Sequence, residues 1–263
     1  MIISQHKGLT MLATRVEIIP TDGIVDVVNS ALPAGSTVSI TCLPHHGVES
    51  TVRTAIKLSE LGFVAVPHIA AKCVESREHL SGILDDCAAA GITEMFAIGG
   101  DAPRAAGAYS TGVELVRDIA ELSGGSMSVG VAGYPEGHPT INGLQLMDAL
   151  LEKQEFAGKI VTQMCFSAET IHNYVALLRK EGVTLPVHAG VAGAVPKAKL
   201  ISLASRIGVG ASLKFLSRKG PLARKLILGE RYAPDALIQE LAARPGVEGI
   251  QLYTFNSLEA LPQ

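Results

Sequence analysis

Short runs of β-branched and other apolar residues alternate with longer segments of helical period along the whole chain. This alternation is typical of repeated βα units, in which a helix carries the chain from one strand to the next parallel strand. Eight strand candidates can be counted, namely residues 14–19, 37–41, 63–67, 94–98, 127–132, 159–163, 186–189 and 248–253. Eight units that close on themselves predict an α/β fold, a (β/α)8 TIM barrel that forms a single domain over residues 1–263.

The segments between the strand candidates carry helix signals that support this spacing. Ser167 opens a helical segment that ends at Gly182. The stretch 211–245 is longer than one crossover needs, so we expect two or three helices before the last strand. Few residues follow that strand, which predicts a short or missing last helix. The flank of the barrel left open is then expected to be covered by residues 1–12 or by a second subunit of a homo-oligomer.

An open doubly wound sheet uses the same alternation and is the competing architecture. Its dinucleotide fingerprint, Gly-x-Gly-x-x-Gly between a strand and a helix, does not occur in this sequence. Gly190 and Gly193 are expected to form a small loop after the seventh strand. That loop is interpreted as a tight turn, with phosphate binding as the alternative.

Composition and charge exclude several classes of protein. Apolar residues make up 48% of the chain while aromatic residues make up only 4%, so Ala, Val, Ile and Leu must fill the interior. The formal net charge of -3 argues against a nucleic-acid binder, which normally carries a basic excess. No window approaches the roughly 18 apolar residues of a membrane span, and no signal peptide is apparent. The four cysteines form no Cys-x-x-Cys pair, so reduced thiols in a cytoplasmic protein are expected.

A stiff loop with polar side chains follows the fifth strand candidate. The run Val-Ala-Gly-Tyr-Pro-Glu-Gly-His-Pro at 131–139 leaves the strand at Tyr134, and neither Pro135 nor Pro139 can continue a central strand or a helix interior. The loop therefore presents a phenol, a carboxylate and the His138 imidazole together after a strand, where barrel enzymes hold their catalytic groups. The alternative is a loop whose polar residues only solvate a turn.

Glu17 lies between the apolar residues Val16 and Ile18 of the first strand candidate. A buried carboxylate is costly unless it is paired or protonated. One interpretation is an ion pair with Arg15 or another cation inside the barrel. The other is a desolvated carboxyl with a raised pKa, which suits delivery of a proton at neutral pH.

An ordered set of short motifs resembles the methylenetetrahydrofolate reductase family. The set comprises Glu17 in Thr-Arg-Val-Glu-Ile-Ile-Pro, Pro67-His68, Gly100-Asp101, the Gly-Tyr-Pro-Glu-x-His-Pro run and Thr162-Gln163. The long run is specific, whereas a pair such as Pro-His means little alone. The resemblance covers nearly the whole chain. It implies a flavoenzyme of one-carbon metabolism that reduces 5,10-methylenetetrahydrofolate to 5-methyltetrahydrofolate, using FAD and either NADH or NADPH.

The resemblance also implies roles for individual residues. The family glutamate that matches Glu17 is the general acid that helps to open the five-membered ring of the folate. Asp101 would be the second catalytic group, near the pyrimidine edges of flavin and pterin, with a helix N-cap as its structural alternative. Gln163, Asp101 and Arg224 would bind the folate, although Arg224 fits a solvated helix charge equally well. The residues implied to hold FAD are Thr41, His68, Asp101, Tyr109, Tyr134 and His138.

Three positions depart from the family pattern. Gly99 stands where members commonly carry an arginine beside the cofactor, Met147 where an aspartate meets the ribose, and Gln154 where a lysine meets the pyrophosphate. FAD is therefore expected to bind more weakly than is typical of the family, with Asp148 or Lys153 as replacement contacts. The alternative is a weakened requirement for flavin.

Two other functions stay open from the sequence. A non-redox barrel that binds folate or hands on one-carbon units would use Glu17, Asp101 and Gln163 equally well. A metal-dependent hydrolase would use histidines near strand ends, although the first strand lacks the His-x-His pair common in such barrels. The candidate metal ligands are His45, His46, His68, His138 and His188, together with Cys42. No bound metal is predicted.

Overall fold

The computed structural model describes residues 12–100, 107–196, 200 and 231–259, and within it eight parallel strands close into a barrel. Each strand pairs with its neighbours in chain order, and the last strand pairs with the first, with Glu17 opposite Tyr253. The strands are β1 (Ala13–Ile18), β2 (Thr37–Ile40), β3 (Val64–Ala70), β4 (Glu94–Ile98), β5 (Ser128–Gly133), β6 (Lys159–Thr162), β7 (Val187–Ala192) and β8 (Gly249–Tyr253). The predicted (β/α)8 barrel is confirmed.

Amphipathic helices cover the outside of the barrel. The described α-helices are α1 (Ile24–Ala31), α2 (Gly47–Glu60), α3 (Arg77–Ala89), α4 (Gly112–Leu122), α5 (Gly143–Lys153), α6 (Ala168–Lys180) and α7 (Asp235–Ala242). The predicted helix start at Ser167 is confirmed, because its side chain accepts a hydrogen bond from the Thr170 amide as an N-cap. No helix in the described part of the chain has both the length and the apolar character needed to cross a membrane.

Part of the stretch before β8, and most of the residues at the two chain ends, lie outside the described residues. Of residues 211–245, those from 231 onward are described and contain α7, while 211–230 lie outside the described residues. Residues 254–259 after β8 contain turns and no helix. The expected cover from residues 1–12 falls almost entirely outside the described part.

The seventh strand is longer than predicted. β7 runs through Gly190, so the small loop expected at that residue is wrong. A Cβ on Gly190 would lie 2.2 Å from the Thr162 carbonyl oxygen and 2.6 Å from Cε2 of Tyr253. Glycine is therefore needed here because a neighbouring backbone and side chain approach closely, and not because the chain turns.

Side chains fill the barrel interior in layers. Toward the amino-terminal ends of the strands, the Glu94 carboxylate accepts hydrogen bonds from Arg15 and from Lys159, whose Nζ lies 2.9 Å away. Burial raises the pKa of Glu94, but the hydrogen bonds and positive charges of these two side chains outweigh it and hold that pKa below its usual value. Next comes a buried apolar cluster: Val66, Phe96 and Val161. Glu17 lies beyond that cluster, near the carboxyl end of β1.

Candidate active site

Glu17 is a carboxyl group enclosed by the barrel wall. Its side chain is only 13% exposed, and its Oε2 accepts a hydrogen bond of 3.3 Å from Nε2 of Gln251. Burial raises the pKa of Glu17 to about 8, although the hydrogen bond from Gln251 acts in the opposite direction. The ion pair with Arg15 considered from the sequence is not formed, because Arg15 binds Glu94 in the layer below. Glu17 is therefore a neutral acid at neutral pH.

The imidazole of His68 on β3 is a titratable group close to Glu17. Nε2 of His68 lies 3.8 Å from Oε2 of Glu17, and the His68 side chain is 8% exposed. Burial lowers the pKa of His68 to about 3, so this imidazole is uncharged at neutral pH. The Phe96 ring packs beside it with 4.7 Å between ring centroids. Two neutral groups thus face each other inside the barrel.

Tyr253 at the end of β8 completes this buried group and was not singled out from the sequence. Its hydroxyl donates a hydrogen bond of 2.9 Å to the Thr162 carbonyl oxygen. Burial raises the pKa of Tyr253 well above its usual value, and the nearby Glu17 raises it further. The usable signal was its place in the register, because β8 must lie beside β1 in any eight-stranded barrel and so brings its last residues next to Glu17.

The loop after β5 presents its polar groups as predicted. The rings of Tyr134 and His138 meet edge to face with 5.1 Å between their centroids. The backbone amide of Tyr134 donates a hydrogen bond of 3.2 Å to the hydroxyl of Tyr174 in α6, another residue that sequence reasoning missed. Electrostatic interaction of Tyr134 with Tyr253 connects this loop to the group around Glu17.

Gln163 and Thr41 stand at the carboxyl ends of their strands. Gln163 follows β6, and its backbone N–H donates a hydrogen bond of 2.7 Å to the backbone carbonyl of Gly133. Oγ1 of Thr41 is buried and has no hydrogen-bond partner among the described residues. A buried hydroxyl without a partner is costly, so a ligand that supplies one fits this position.

Tyr109 is tied to the outer helices. Its hydroxyl donates a hydrogen bond of 2.7 Å to Asp118 in α4, and Arg77 in α3 binds the same carboxylate at 2.8 Å. Tyr109 is thus not brought into the group around Glu17 by any described contact. Asp101 and Arg224 lie outside the described residues.

The ammonium group of Lys153 lies beside Gly112, at the amino-terminal end of α4. A Cβ on Gly112 would lie 3.5 Å from Nζ of Lys153 and 3.6 Å from the backbone nitrogen of Gly99. Burial lowers the pKa of Lys153, an effect that the charge of Glu152 partly opposes, and none of the ion pairs between described residues includes Lys153. Gln154 points elsewhere, because its Oε1 accepts a hydrogen bond of 3.3 Å from the Thr184 amide. Lys153 is therefore better placed than Gln154 to meet an anion.

The histidines considered as metal ligands do not converge. The rings of His45 and His46 lie side by side at an angle of 50°, with 4.1 Å between their centroids. Within the described ranges, no three His, Cys, Asp or Glu side chains form a group that could hold a metal ion.

Comparison with known proteins decides the family. A family model described as methylenetetrahydrofolate reductase matches residues 25–263. The chain belongs to the methylenetetrahydrofolate reductase family. The resemblance stated from the sequence motifs is confirmed.

Curated methylenetetrahydrofolate reductases match different shares of the chain. The 5,10-methylenetetrahydrofolate reductase of Pectobacterium carotovorum is 26% identical over 233 residues, which is 84% of this chain and 76% of that protein. Methylenetetrahydrofolate reductase 2 of Saccharomyces cerevisiae is 25% identical over 193 residues, 68% of this chain and 32% of the yeast protein. A probable methylenetetrahydrofolate reductase (NADPH) of Caenorhabditis elegans is 32% identical over 114 residues, 41% of this chain and 17% of that protein. The chain thus spans a minor part of the yeast and nematode reductases.

Solved structures similar to this methylenetetrahydrofolate reductase family member include barrels with other names. A 2,3-dimethylmalate lyase matches with a TM-score of 0.57 and 8% identity, covering 94% of this chain and 74% of the lyase. An oxaloacetate acetylhydrolase in complex with oxalate matches with a TM-score of 0.55 and 9% identity, covering 94% of this chain and 76% of the hydrolase. At such identities the likeness shows the fold alone.

Proposed function

We propose that this chain reduces 5,10-methylenetetrahydrofolate to 5-methyltetrahydrofolate, with NADH or NADPH as reductant and FAD as the bound carrier. Family membership supports the reaction. The observation that carries the assignment in this chain is Glu17, a buried carboxyl whose pKa is raised to about 8. Such a group is protonated at neutral pH and is suited to act as a general acid.

The proton of Glu17 is the protein's main chemical contribution. The O–H bond of the Glu17 carboxyl breaks as its proton passes to the nitrogen that leaves the one-carbon unit of the folate. The five-membered ring opens, and the remaining iminium carbon becomes open to hydride. Glu17 is left as a carboxylate, which the hydrogen bond from Gln251 stabilises. A proton from solvent must then restore the acid before the next cycle.

Several features of the barrel mouth fit FAD. The chemistry that bound FAD supplies is transfer of a hydride from the nicotinamide coenzyme to the folate. Oγ1 of Thr41 has no hydrogen-bond partner in the described part of the chain, and it could accept a hydrogen bond from a flavin or donate one to it. The Lys153 ammonium fits a diphosphate, because a cation attracts an anion. We assign His68, Tyr134 and His138 to the cofactor as well, following their match to the family's flavin contacts.

The folate is assigned to the same mouth. Gln163 offers both a donor and an acceptor, as the edge of a pterin requires. Asp101 and Arg224 complete the proposed folate contacts, and Asp101 is also proposed as the second catalytic group and as a flavin contact. Tyr109 keeps its proposed flavin role only if its hydrogen bond with Asp118 is exchanged or if its ring makes the contact.

Coenzyme oxidation by the purified protein tests this proposal. The protein is supplied with FAD and with NADH or NADPH, and oxidation of the coenzyme is followed on addition of 5,10-methylenetetrahydrofolate. Folate-dependent oxidation is expected with at least one coenzyme. Absence of both this reaction and the reverse reaction from 5-methyltetrahydrofolate would show that the assignment is wrong.

A non-redox folate-binding barrel is the second candidate. It is favoured by the polar flavin contacts that this chain lacks or has redirected, since Met147 packs against the apolar core and the Tyr109 hydroxyl is bonded to Asp118. The two candidates differ in the need for flavin. Folate binding by a protein whose visible spectrum shows no flavin, and which takes up none when FAD is added, would favour the second.

A further inference from the structure

Gln251 on β8 is buried against Glu17, and only one of the two polar atoms of its side-chain amide has a described hydrogen-bond partner. The residue is 2% exposed, and its Nε2 donates to Oε2 of Glu17 over 3.3 Å. Oε1 of Gln251 is also buried, and it has no hydrogen-bond partner among the described residues. Buried polar atoms are rarely left without a partner, so this oxygen needs a donor.

A primary amide and a protonated carboxylic acid complement each other in a way that a carboxylate does not. The amide N–H donates to the carbonyl oxygen of the acid, and the acid O–H donates to the amide oxygen, so that a ring of two hydrogen bonds forms. An ionised Glu17 would offer acceptors only and would leave Oε1 of Gln251 unpaired. In the observed orientation Nε2 of Gln251 donates to Glu17 and Oε1 has no described partner, which leaves an acceptor for the proton of a neutral Glu17.

Three other described groups near Glu17 do not supply or take this proton in the resting protein. Nε2 of His68 lies 3.8 Å from Oε2, the same oxygen that already accepts from Gln251, and this exceeds hydrogen-bond length. The phenol proton of Tyr253 is donated to the Thr162 carbonyl oxygen. On β1 itself, the Arg15 guanidinium binds Glu94. Among the described residues, the acceptor left for a proton on Oε1 of Glu17 is the Gln251 amide oxygen.

We propose that Gln251 is a positioning residue whose amide oxygen accepts a hydrogen bond from the protonated Glu17 in the resting protein and gives up that bond when the folate nitrogen arrives. The transfer step rests on the proposed function, whereas the resting pair does not. In that step the Glu17 O–H bond breaks and an N–H bond forms on the folate. Gln251 keeps its N–H donor on the carboxylate that remains.

Infrared difference spectroscopy of the full chain tests the resting pair without any folate. The carbonyl stretching band of protonated Glu17 is identified by its loss in Glu17→Gln. Gln251→Met should move that band to higher wavenumber, because the acid loses both hydrogen bonds. Gln251→Glu keeps the size of the side chain but replaces the N–H donor with a second carboxyl oxygen, so it should also move the band. Gln239→Met on the exposed face of α7 is the matched control and should leave the band unchanged.

The outcomes separate the pair from competing explanations. A band that stays in place in both Gln251 variants overturns the proposal, as does a band that moves only in His68→Gln, since the acceptor would then be His68. If Gln251→Met does not fold, Gln251→Glu still decides the matter.

The same variants test whether the pair of Glu17 and Gln251 contributes to catalysis. Gln251→Met should slow the folate half-reaction by about 10-fold or more while leaving KM for the folate nearly unchanged, as expected when a proton donor is misplaced. A band shift in a protein with no folate activity would leave the pair standing and refute the proposed function. Folate activity without any band shift would refute the pair alone.

Discussion

The Tyr253 hydroxyl donates a hydrogen bond to the Thr162 carbonyl oxygen over 2.9 Å, and so connects β8 to β6 across the strand that lies between them. The bond passes over Gly190 of β7, where a Cβ would lie within 2.6 Å of both partners. One glycine thus determines where the phenol beside Glu17 lies.

Replacing Gly190→Ala should break this connection. Inserting a methyl group into a packed site typically costs about 1–3 kcal/mol, so the free energy of unfolding in urea should fall by about 2 kcal/mol. Gly193→Ala is the matched control, because a Cβ there would make only ordinary contacts of 3.5 Å. Equal stability of the two variants would show that the space at Gly190 is not limiting.

Glu17→Gln should make the protein more stable at alkaline pH. The unfolded chain ionises Glu17 near its ordinary pKa of 4.5, whereas the folded protein keeps it neutral up to about pH 8. The group therefore contributes its full stability below pH 4.5 and loses that contribution as pH rises to 8. Relative to the wild type, the variant should gain about 2–5 kcal/mol between pH 4.5 and 8 and nothing further above that. Urea unfolding across this range measures the difference, and a constant difference would mean that the pKa of Glu17 is not raised.

The same substitution should separate the two half-reactions of the proposed enzyme. Glu17→Gln preserves shape but removes the transferable proton, so folate reduction should slow by about 100-fold or more, the usual contribution of a general acid. Reduction of flavin by the coenzyme needs no such proton and should change little. Stopped-flow spectroscopy follows each half-reaction. Equal slowing of both would make Glu17 a structural or cofactor-positioning residue.

Lys153→Met should weaken FAD binding. A lost charge-assisted contact is worth roughly 1.5–3 kcal/mol, which corresponds to about 10- to 150-fold in Kd. Lys57→Met removes the same charge from an exposed position of α2 and should leave Kd unchanged. Fluorescence titration with FAD gives both constants. Because Met147 and Gln154 do not offer the usual contacts, the wild type should also lose FAD on long dialysis, and full retention would contradict that expectation.

The eight strands could be predicted because each carries its own apolar run and each break is filled by a helical segment. Their ends were less predictable. Gly190 looks like a turn residue in isolation, yet it lies within β7 because Tyr253, more than 60 residues later, occupies the space where its side chain would be. No local pattern contains that information.

The residues of the candidate site also differ in whether the local sequence reveals them. Glu17 stood out because a carboxylate within an apolar strand needs a physical reason. Gln251 and Tyr253 did not stand out, since an amide and a phenol fit many strands. Their importance comes from the closure of the barrel, which places β8 beside β1. Tyr109 shows the reverse case, in which a family match does not reveal that the hydroxyl is already bonded to Asp118.

The apolar cluster of Val66, Phe96 and Val161 separates two sets of ionisable groups inside the barrel. On one side, Glu94 is charged and fully paired; on the other, Glu17 and His68 are uncharged. Mutations that strengthen or weaken the ion pairs of Glu94 can therefore accumulate without changing the pKa of Glu17. Half of this barrel is free to adapt to temperature or salt while the other half conserves its chemistry.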